Sequence, residues 1–214
     1  MPYPDRHAYP DRHAYPDRFY PVVDSIDWVA RLTKLGVGTV QLRAKNLDDS
    51  QALQMVRNAL AVTRSTGTKL VVNDYWRAAI AAGATHLHLG QEDLAEADLK
   101  AIRDAGLTLG ISTHDDEELA TALRARPDYV ALGPIFPTTL KSMRFAPQGV
   151  AKISEWKKRV GDIPLVAIGG IKLEQAGAIF AAGADSIAVV SDVTQNADPD
   201  ARVRAWLGQD AEAA

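Results

Sequence analysis

A single-domain α/β fold, a (β/α)8 TIM barrel, is predicted by three observations. Eight short apolar runs rich in β-branched residues recur along the 214-residue chain. Amphipathic stretches separate them. Unusual polar residues gather at the C-terminal end of nearly every run. Strand and helix patterns that alternate in this way imply parallel strands joined by crossover helices. The length suits a compact barrel better than a doubly wound sheet, and no linker-like stretch interrupts the alternation.

The chain opens on a repeat. YPDRHA fills 3–8 and again 9–14, and a third copy at 15–20 turns into YPDRFY. Each proline removes a backbone donor and biases the preceding tyrosine toward extended geometry. Residues 1–16 therefore read as a flexible, solvated leader and 17–214 as the barrel. His7 and His13 in the repeat are spaced for loose metal contact, and a plain tail is the better reading. The first strand is expected at FYPVV (19–23), followed by a helix with Ile26, Val29, Ala30 and Leu32 on its apolar face. TVQLR (39–43) comes next, with a helix marked by Leu53, Val56, Leu60 and Ala61. KLVVN (69–73) and HLHLG (86–90) are strands three and four, and Leu94, Leu99 and Ile102 mark the helical stretch after the fourth. LTLGIS (107–112) precedes a helix with Leu119, Ala122 and Leu123. YVALG (129–133) and LVAIGG (165–170) follow, then a helix with Leu173, Ala176 and Ile179. SIAVVS (186–191) is the eighth strand. About eight helices are expected in all, and Trp28, Trp76, Trp156 and Trp206 read as packing.

Composition narrows the function. Twenty-four Lys+Arg against 27 Asp+Glu give a net charge of −3, which argues against nucleic-acid binding as the main task. The absence of cysteine excludes disulfides, zinc–thiolate sites and a cysteine nucleophile, and fits a reducing cytoplasm. No apolar run is long enough to span a bilayer, and the first residues lack a signal-peptide core, so no membrane partner is expected. Nothing in the sequence sets an oligomeric state.

In a barrel, function gathers at the C-terminal strand ends. Gln41, Arg43 and Lys45 alternate there, so they share the mouth-facing side while Val40 and Leu42 face the helices. Two cations and an amide suit a phosphorylated ligand; a solvated strand end is the plain alternative. Asp74 and Asp93 end adjacent strands. Beside Arg43 and Lys45 they point to Mg²⁺, which prefers oxygen ligands and bridges carboxylates to phosphates, with helix capping as the competing reading. Gly169 and Gly170 end the seventh strand, where glycine lets backbone N–H groups approach an anion. Asn73, Gln91, Glu92, Ser112, His114, Thr138, Lys141 and Ser191 fall on the same rim. His86 and His88 alternate on the fourth strand and are expected to point inward, as hydrogen-bonded interior histidines rather than metal ligands.

The segments VQLRAK, VVNDYWR, HLHLGQEDL, GISTHD, ALGPIFPTTLK, APQG, AIGGI and AVVSDV, in this order, resemble the thiamine phosphate synthase family. The resemblance runs from about Phe19 to near Trp206, and the family's fold is a (β/α)8 barrel. It implies an enzyme, a transferase of thiamine biosynthesis. Its small-molecule substrates would be 4-amino-5-hydroxymethyl-2-methylpyrimidine diphosphate and a (carboxy)thiazole phosphate, giving thiamine phosphate and pyrophosphate. By resemblance, Gln41, Leu42, Arg43, Ala44, Lys45, Asn73, Ser112 and Lys141 would hold the pyrimidine diphosphate. Asp74 and Asp93 would hold Mg²⁺, the one cofactor implied. Thr138, Thr139 and Leu140 would meet the thiazole, and Gly170, Val190 and Ser191 its phosphate. The catalytic set would be Arg43, Lys45, Ser112 and Lys141. The implied substitution is dissociative: Arg43, Lys141 and Mg²⁺ stabilise the departing pyrophosphate, the aminopyrimidine carries the cation, and the thiazole nitrogen attacks.

Two positions depart from the family's pattern. Its loop after the sixth strand usually reads Thr-x-Thr-Lys; here Leu140 removes a donor that would face a thiazole carboxylate. Asp192 stands where a small residue is common, and would weaken a phosphate site if it pointed inward. Two alternatives stay open: a thiazole tautomerase-like isomerase on the same scaffold, and a catalytically silent phosphate-binding barrel.

Overall fold

In the computed structural model, which describes residues 16–138 and 145–211, eight parallel strands close into a barrel in sequence order. They are β1 (Phe19–Val23), β2 (Thr39–Leu42), β3 (Lys69–Asn73), β4 (His86–Leu89), β5 (Thr108–Thr113), β6 (Tyr129–Leu132), β7 (Leu165–Ile168) and β8 (Ser186–Val189). Seven lie within their expected runs, five of them ending short of the expected C-terminus, and β5 runs one residue past its own, to Thr113. Gly169 and Gly170 have φ of 100° and 66°, outside strand geometry, so β7 stops at Ile168.

The helices are α1 (Ile26–Lys34), α2 (Asp49–Thr63), α3 (Trp76–Ala82), α4 (Gln91–Glu96), α5 (Leu99–Asp104), α6 (Asp116–Arg124), α7 (Gly149–Val160), α8 (Ala176–Ala181), α9 (Ser191–Thr194) and α10 (Pro199–Ala211). The described residues thus hold more helices than the eight expected. The stretch after β4 breaks because Ala97 is extended, and Asp98 then caps a fresh start by accepting from Lys100 N and Ala101 N at 2.9 Å. A short α9 also stands between β8 and α10. Local chemistry sets other starts: Asp48 and Gln51 form a reciprocal capping box on α2, and Asp115 caps α6.

Strand alternation divides the core. One set of side chains packs outward against the helices, including Val40, Leu42, Val130, Leu132, Leu165 and Ile187 with Trp156 and Trp206. Phe19 stacks on Trp206 at 5.3 Å, which ties β1 to α10. The inward set fills the barrel with Tyr20, Val22, Val71, Tyr129, Ala131, Val166 and Ala188. The N-terminal end of the barrel is closed by Asp17. Its carboxylate accepts from Thr39 Oγ1 at 2.6 Å and its carbonyl from Ser186 Oγ at 2.6 Å. Of the expected leader, residues 1–15 lie outside the described residues, His7 and His13 among them; Pro16 is buried.

Candidate active site

The C-terminal mouth opens into a cavity of about 540 Å³. Gln41 and Arg43 reach it from the end of β2, Asn73 from β3, His88 from β4, and Ser112 and His114 from β5. Thr138 follows β6, Ile168 ends β7 and Gly169 to Ile171 follow it, and Val190, Ser191, Thr194 and Gln195 follow β8. Trp28 of α1 completes one wall, so this tryptophan lines the site as well as packing; Trp156 and Trp206 are core residues, as expected.

The cavity floor is a hydrogen-bonded series. Gln41 Nε2 donates to Tyr20 OH at 2.7 Å, and Tyr20 OH meets Tyr129 OH at 2.8 Å. Tyr129 OH meets His88 Nδ1 at 2.8 Å, and His88 Nε2 meets Ser112 Oγ at 2.8 Å. The register places His88, Gly110 and Tyr129 side by side across β4, β5 and β6. Gly110 is required there, because a Cβ would collide with the Tyr129 ring. Complete burial pushes the His88 imidazole down to about 3, helped by the Arg43 charge, so it is neutral at physiological pH. Burial also pushes the Tyr20 phenol up.

A second cavity, about 480 Å³, is lined by Ala44, Lys45, Asp74, Asp93, Trp76 and Arg77 among others. Asp74 sits in the left-handed region (φ 65°) and accepts from Asn73 Nδ2. Burial and the facing, hydrogen-bonded Asp93 carboxylate raise its pKa to about 6, while Gly90 N–H and the Arg43 charge oppose the rise. Neither aspartate caps a helix. The N-cap of α3 is Tyr75, with no side-chain bond, and Asp93 lies inside the first turn of α4 after Gly90. Two carboxylates this close are relieved by a shared proton or by a cation between them. Among the described residues no group of three or more His, Cys, Asp or Glu converges; a cation held by this pair would take the rest of its shell from water or a ligand, as Mg²⁺ does.

At the other side of the mouth, Gly169 and Gly170 are held by close packing as well as by positive φ. A Cβ on Gly169 would lie 2.7 Å from Pro134 Cα, and one on Gly170 2.8 Å from Phe136 O. Asp192 points away from this site. It accepts from Arg202 Nε and Nη2 at 2.8 Å, Trp206 Nε1 at 2.9 Å and Leu173 N at 3.2 Å. The expected weakening of the phosphate site therefore has no geometric basis.

Of the expected site residues, Gln41, Arg43, Asn73, Ser112, Thr138, Gly170, Val190 and Ser191 line the first cavity, and Ala44, Lys45, Asp74 and Asp93 the second. Thr139, Leu140 and Lys141 lie outside the described residues. Two placements differ from expectation. β2 ends at Leu42, so strand alternation does not reach Lys45, which enters the other cavity from Arg43. Leu42 lines neither cavity: its side chain is buried among the helix-facing residues. On β4, His88 is an interior hydrogen-bonded histidine, whereas His86 is only partly buried, with Nδ1 2.7 Å from Thr85 Oγ1. Tyr20 and Tyr129 were not foreseen. Their signal was parity, since each alternates into the barrel with a small or branched neighbour, Val22 and Ala131.

Residues 19–193 match the profile of the family described as thiamine monophosphate synthase. A thiamine-phosphate synthase of Rhizobium etli is 57% identical over 189 residues, 88% of this chain and 93% of that protein. One of Salmonella typhimurium is 54% identical over 179 residues, 84% of this chain and 85% of that protein. Among solved structures, a thiamine phosphate pyrophosphorylase from Pyrococcus furiosus superposes with a TM-score of 0.79 at 26% identity, covering 91% of this chain and 96% of that one.

Proposed function

The chain belongs to the thiamine monophosphate synthase family, and from that membership we propose that it joins 4-amino-5-hydroxymethyl-2-methylpyrimidine diphosphate to a thiazole phosphate, releasing pyrophosphate and forming thiamine phosphate. The observation that carries this reading is the adjacency of two unlike cavities: Arg43 and Asn73 line the first, and their chain neighbours Ala44 and Asp74 line the second. Arg43 also acts electrostatically on Asp74. A ligand with a heterocycle at one end and a diphosphate at the other would span such a pair, with its scissile C–O bond beside the guanidinium.

The chain's own residues then supply positioning and charge. Arg43 offers a planar fork to the departing diphosphate and Lys45 a point charge. By resemblance Lys141 joins them. Asn73 and Ser112 orient the pyrimidine, and Gly170 with Ser191 holds the thiazole phosphate opposite, leaving the thiazole nitrogen free to attack. Asp74 and Asp93 would hold Mg²⁺, which when bound neutralises charge on the pyrophosphate. No helix among the described residues is long and apolar enough to cross a membrane, and a cytoplasmic enzyme acting on small molecules fits this. A coupling assay on purified protein tests the proposal. Thiamine phosphate is expected only with both substrates and Mg²⁺ present; no product under those conditions would overturn it.

A further inference from the structure

We propose that Tyr20, Tyr129 and His88 are positioning residues that fix the hydrogen-bond polarity of Ser112, so that its hydroxyl donates into the cavity and the site reads an amino-substituted rather than an oxo-substituted pyrimidine. The pyrimidine part rests on the function proposed above; the polarity does not.

The polarity follows from counting protons along the series. Gln41 Nε2 carries only hydrogens, so it donates to Tyr20 OH. The single phenolic proton of Tyr20 then goes to Tyr129 OH, at 2.8 Å. The Tyr129 proton is left for His88 Nδ1, also at 2.8 Å, which must accept it and carries no hydrogen. The ring proton of His88 is thus on Nε2, where it donates to Ser112 Oγ at 2.8 Å. Ser112, already accepting, turns its own hydrogen toward the cavity that it lines. With Gln41 Nε2 on Tyr20 OH, the opposite polarity would direct two donors at Tyr20 OH and leave its own proton without an acceptor inside a buried core, which is costly; the reversed amide would reverse the whole series, and the His88 tautomer distinguishes the two.

Two consequences follow. Ser112 is not a nucleophile activated by His88, despite the 2.8 Å contact, because the nitrogen facing it already holds a proton. Gln41, with Nε2 committed to Tyr20, keeps Oε1 as an acceptor. Both side chains line the cavity, and a serine donor with an amide acceptor complements the N=C–NH2 edge of an aminopyrimidine. The oxo analogue presents N–H and C=O in the reverse order and meets like against like at both positions.

The fold holds this arrangement rigidly. The four side chains come from β1, β4, β5 and β6, with Gln41 on β2. Tyr129 stacks on His88 at 5.5 Å and meets Tyr20 edge-on at 6.1 Å. Gly110 keeps the space beneath the Tyr129 ring open.

Long-range ¹⁵N–¹H correlation spectra of the full chain at neutral pH, combined with kinetics, test the proposal. His88 is expected as the Nε2–H tautomer in the wild type and as a tautomer mixture in Tyr129→Phe. That variant is expected to raise KM for the pyrimidine diphosphate about tenfold and leave KM for the thiazole phosphate unchanged. Ser112→Ala should cost at least as much, and the double variant no more than Ser112→Ala alone. Tyr20→Phe, which breaks the same series one step earlier, should reproduce the KM pattern and serves if Tyr129→Phe does not fold. An Nδ1–H or doubly protonated His88 in the wild type overturns the proposal. So do fully additive losses. A chain with no coupling activity but an Nε2–H His88 would refute the proposed function and leave the polarity standing.

Discussion

At Asp74 a left-handed backbone and the facing Asp93 carboxylate hold a charge where the unliganded fold resists it. Its folded pKa, about 6, lies above the ordinary carboxyl value of 3.8. Between these values the folded state binds more protons than the unfolded chain. The stabilisation is therefore complete below about pH 4 and is lost as pH rises through 6. At pH 7.5 the ionised residue costs the fold on the order of 2 kcal/mol, after discounting for partial solvent exposure. Asparagine removes the charge and tolerates the same left-handed geometry. Asp74→Asn should therefore melt several degrees higher than the wild type at pH 7.5, with the difference vanishing near pH 4, while coupling activity falls by orders of magnitude. His86 and His88, both held neutral by burial, push the other way: their stabilisation fades as pH drops below 6.5. Subtracting wild-type from variant melting curves cancels their share. A variant less stable than wild type at pH 7.5 would show that Asp74 is satisfied without a cation.

Between elements, Asp192 does the joining. Set just after Ser191, it binds Leu173 N from the segment after β7 and Arg202 and Trp206 from α10. Arg202 reaches on to Glu174 with Nη1 and Nη2 at 2.7 and 2.8 Å. Asp192 is 6% exposed and Arg202 16%, so removing one partner leaves a largely buried charge unpaired. Arg202→Ala should cost about 3 kcal/mol in a urea melt and raise KM for the thiazole phosphate, because Ser191 and Thr194 lose their anchor. Asp192→Asn combined with Arg202→Met, which removes both charges, should cost clearly less. Equal losses in the two variants would mean that the pair contributes packing alone. This role was hidden in the sequence, where Asp192 reads only as a charge beside a phosphate loop; its partner is ten residues away on a helix whose docking face no local pattern specifies. The strands were more legible, because period-two apolar runs such as KLVVN report burial directly. Helix breaks were not: the split between α4 and α5 turns on one extended alanine and one aspartate cap.

For the whole molecule, the sequence brought Gln41, Arg43, Asn73, Asp74, Asp93, Ser112 and Ser191 to one rim, since a barrel sends every strand end there. It left the division into two cavities unread, because that depends on where β2 stops and on which side of Arg43 the chain then turns. The division makes a thermodynamic prediction. Pyrophosphate should engage the second cavity only when a cation relieves the Asp74–Asp93 pair, whereas a thiazole phosphate bound at Gly170 and Ser191 needs no such relief. Ligand at about a hundredfold its Kd stabilises the native state by about 2.7 kcal/mol. For a chain of this size that is a rise in Tm of roughly 5–10 °C. Scanning calorimetry should show this rise with pyrophosphate plus Mg²⁺ and almost none with either alone. Thiazole phosphate should raise Tm equally with and without Mg²⁺. In Asp74→Asn the pyrophosphate response should disappear while the thiazole phosphate response persists, because on the proposed reading the two ligands would bind on opposite sides of Arg43. A pyrophosphate response independent of Mg²⁺ would assign that anion to the Gly170 side and leave the carboxylate pair without a ligand role.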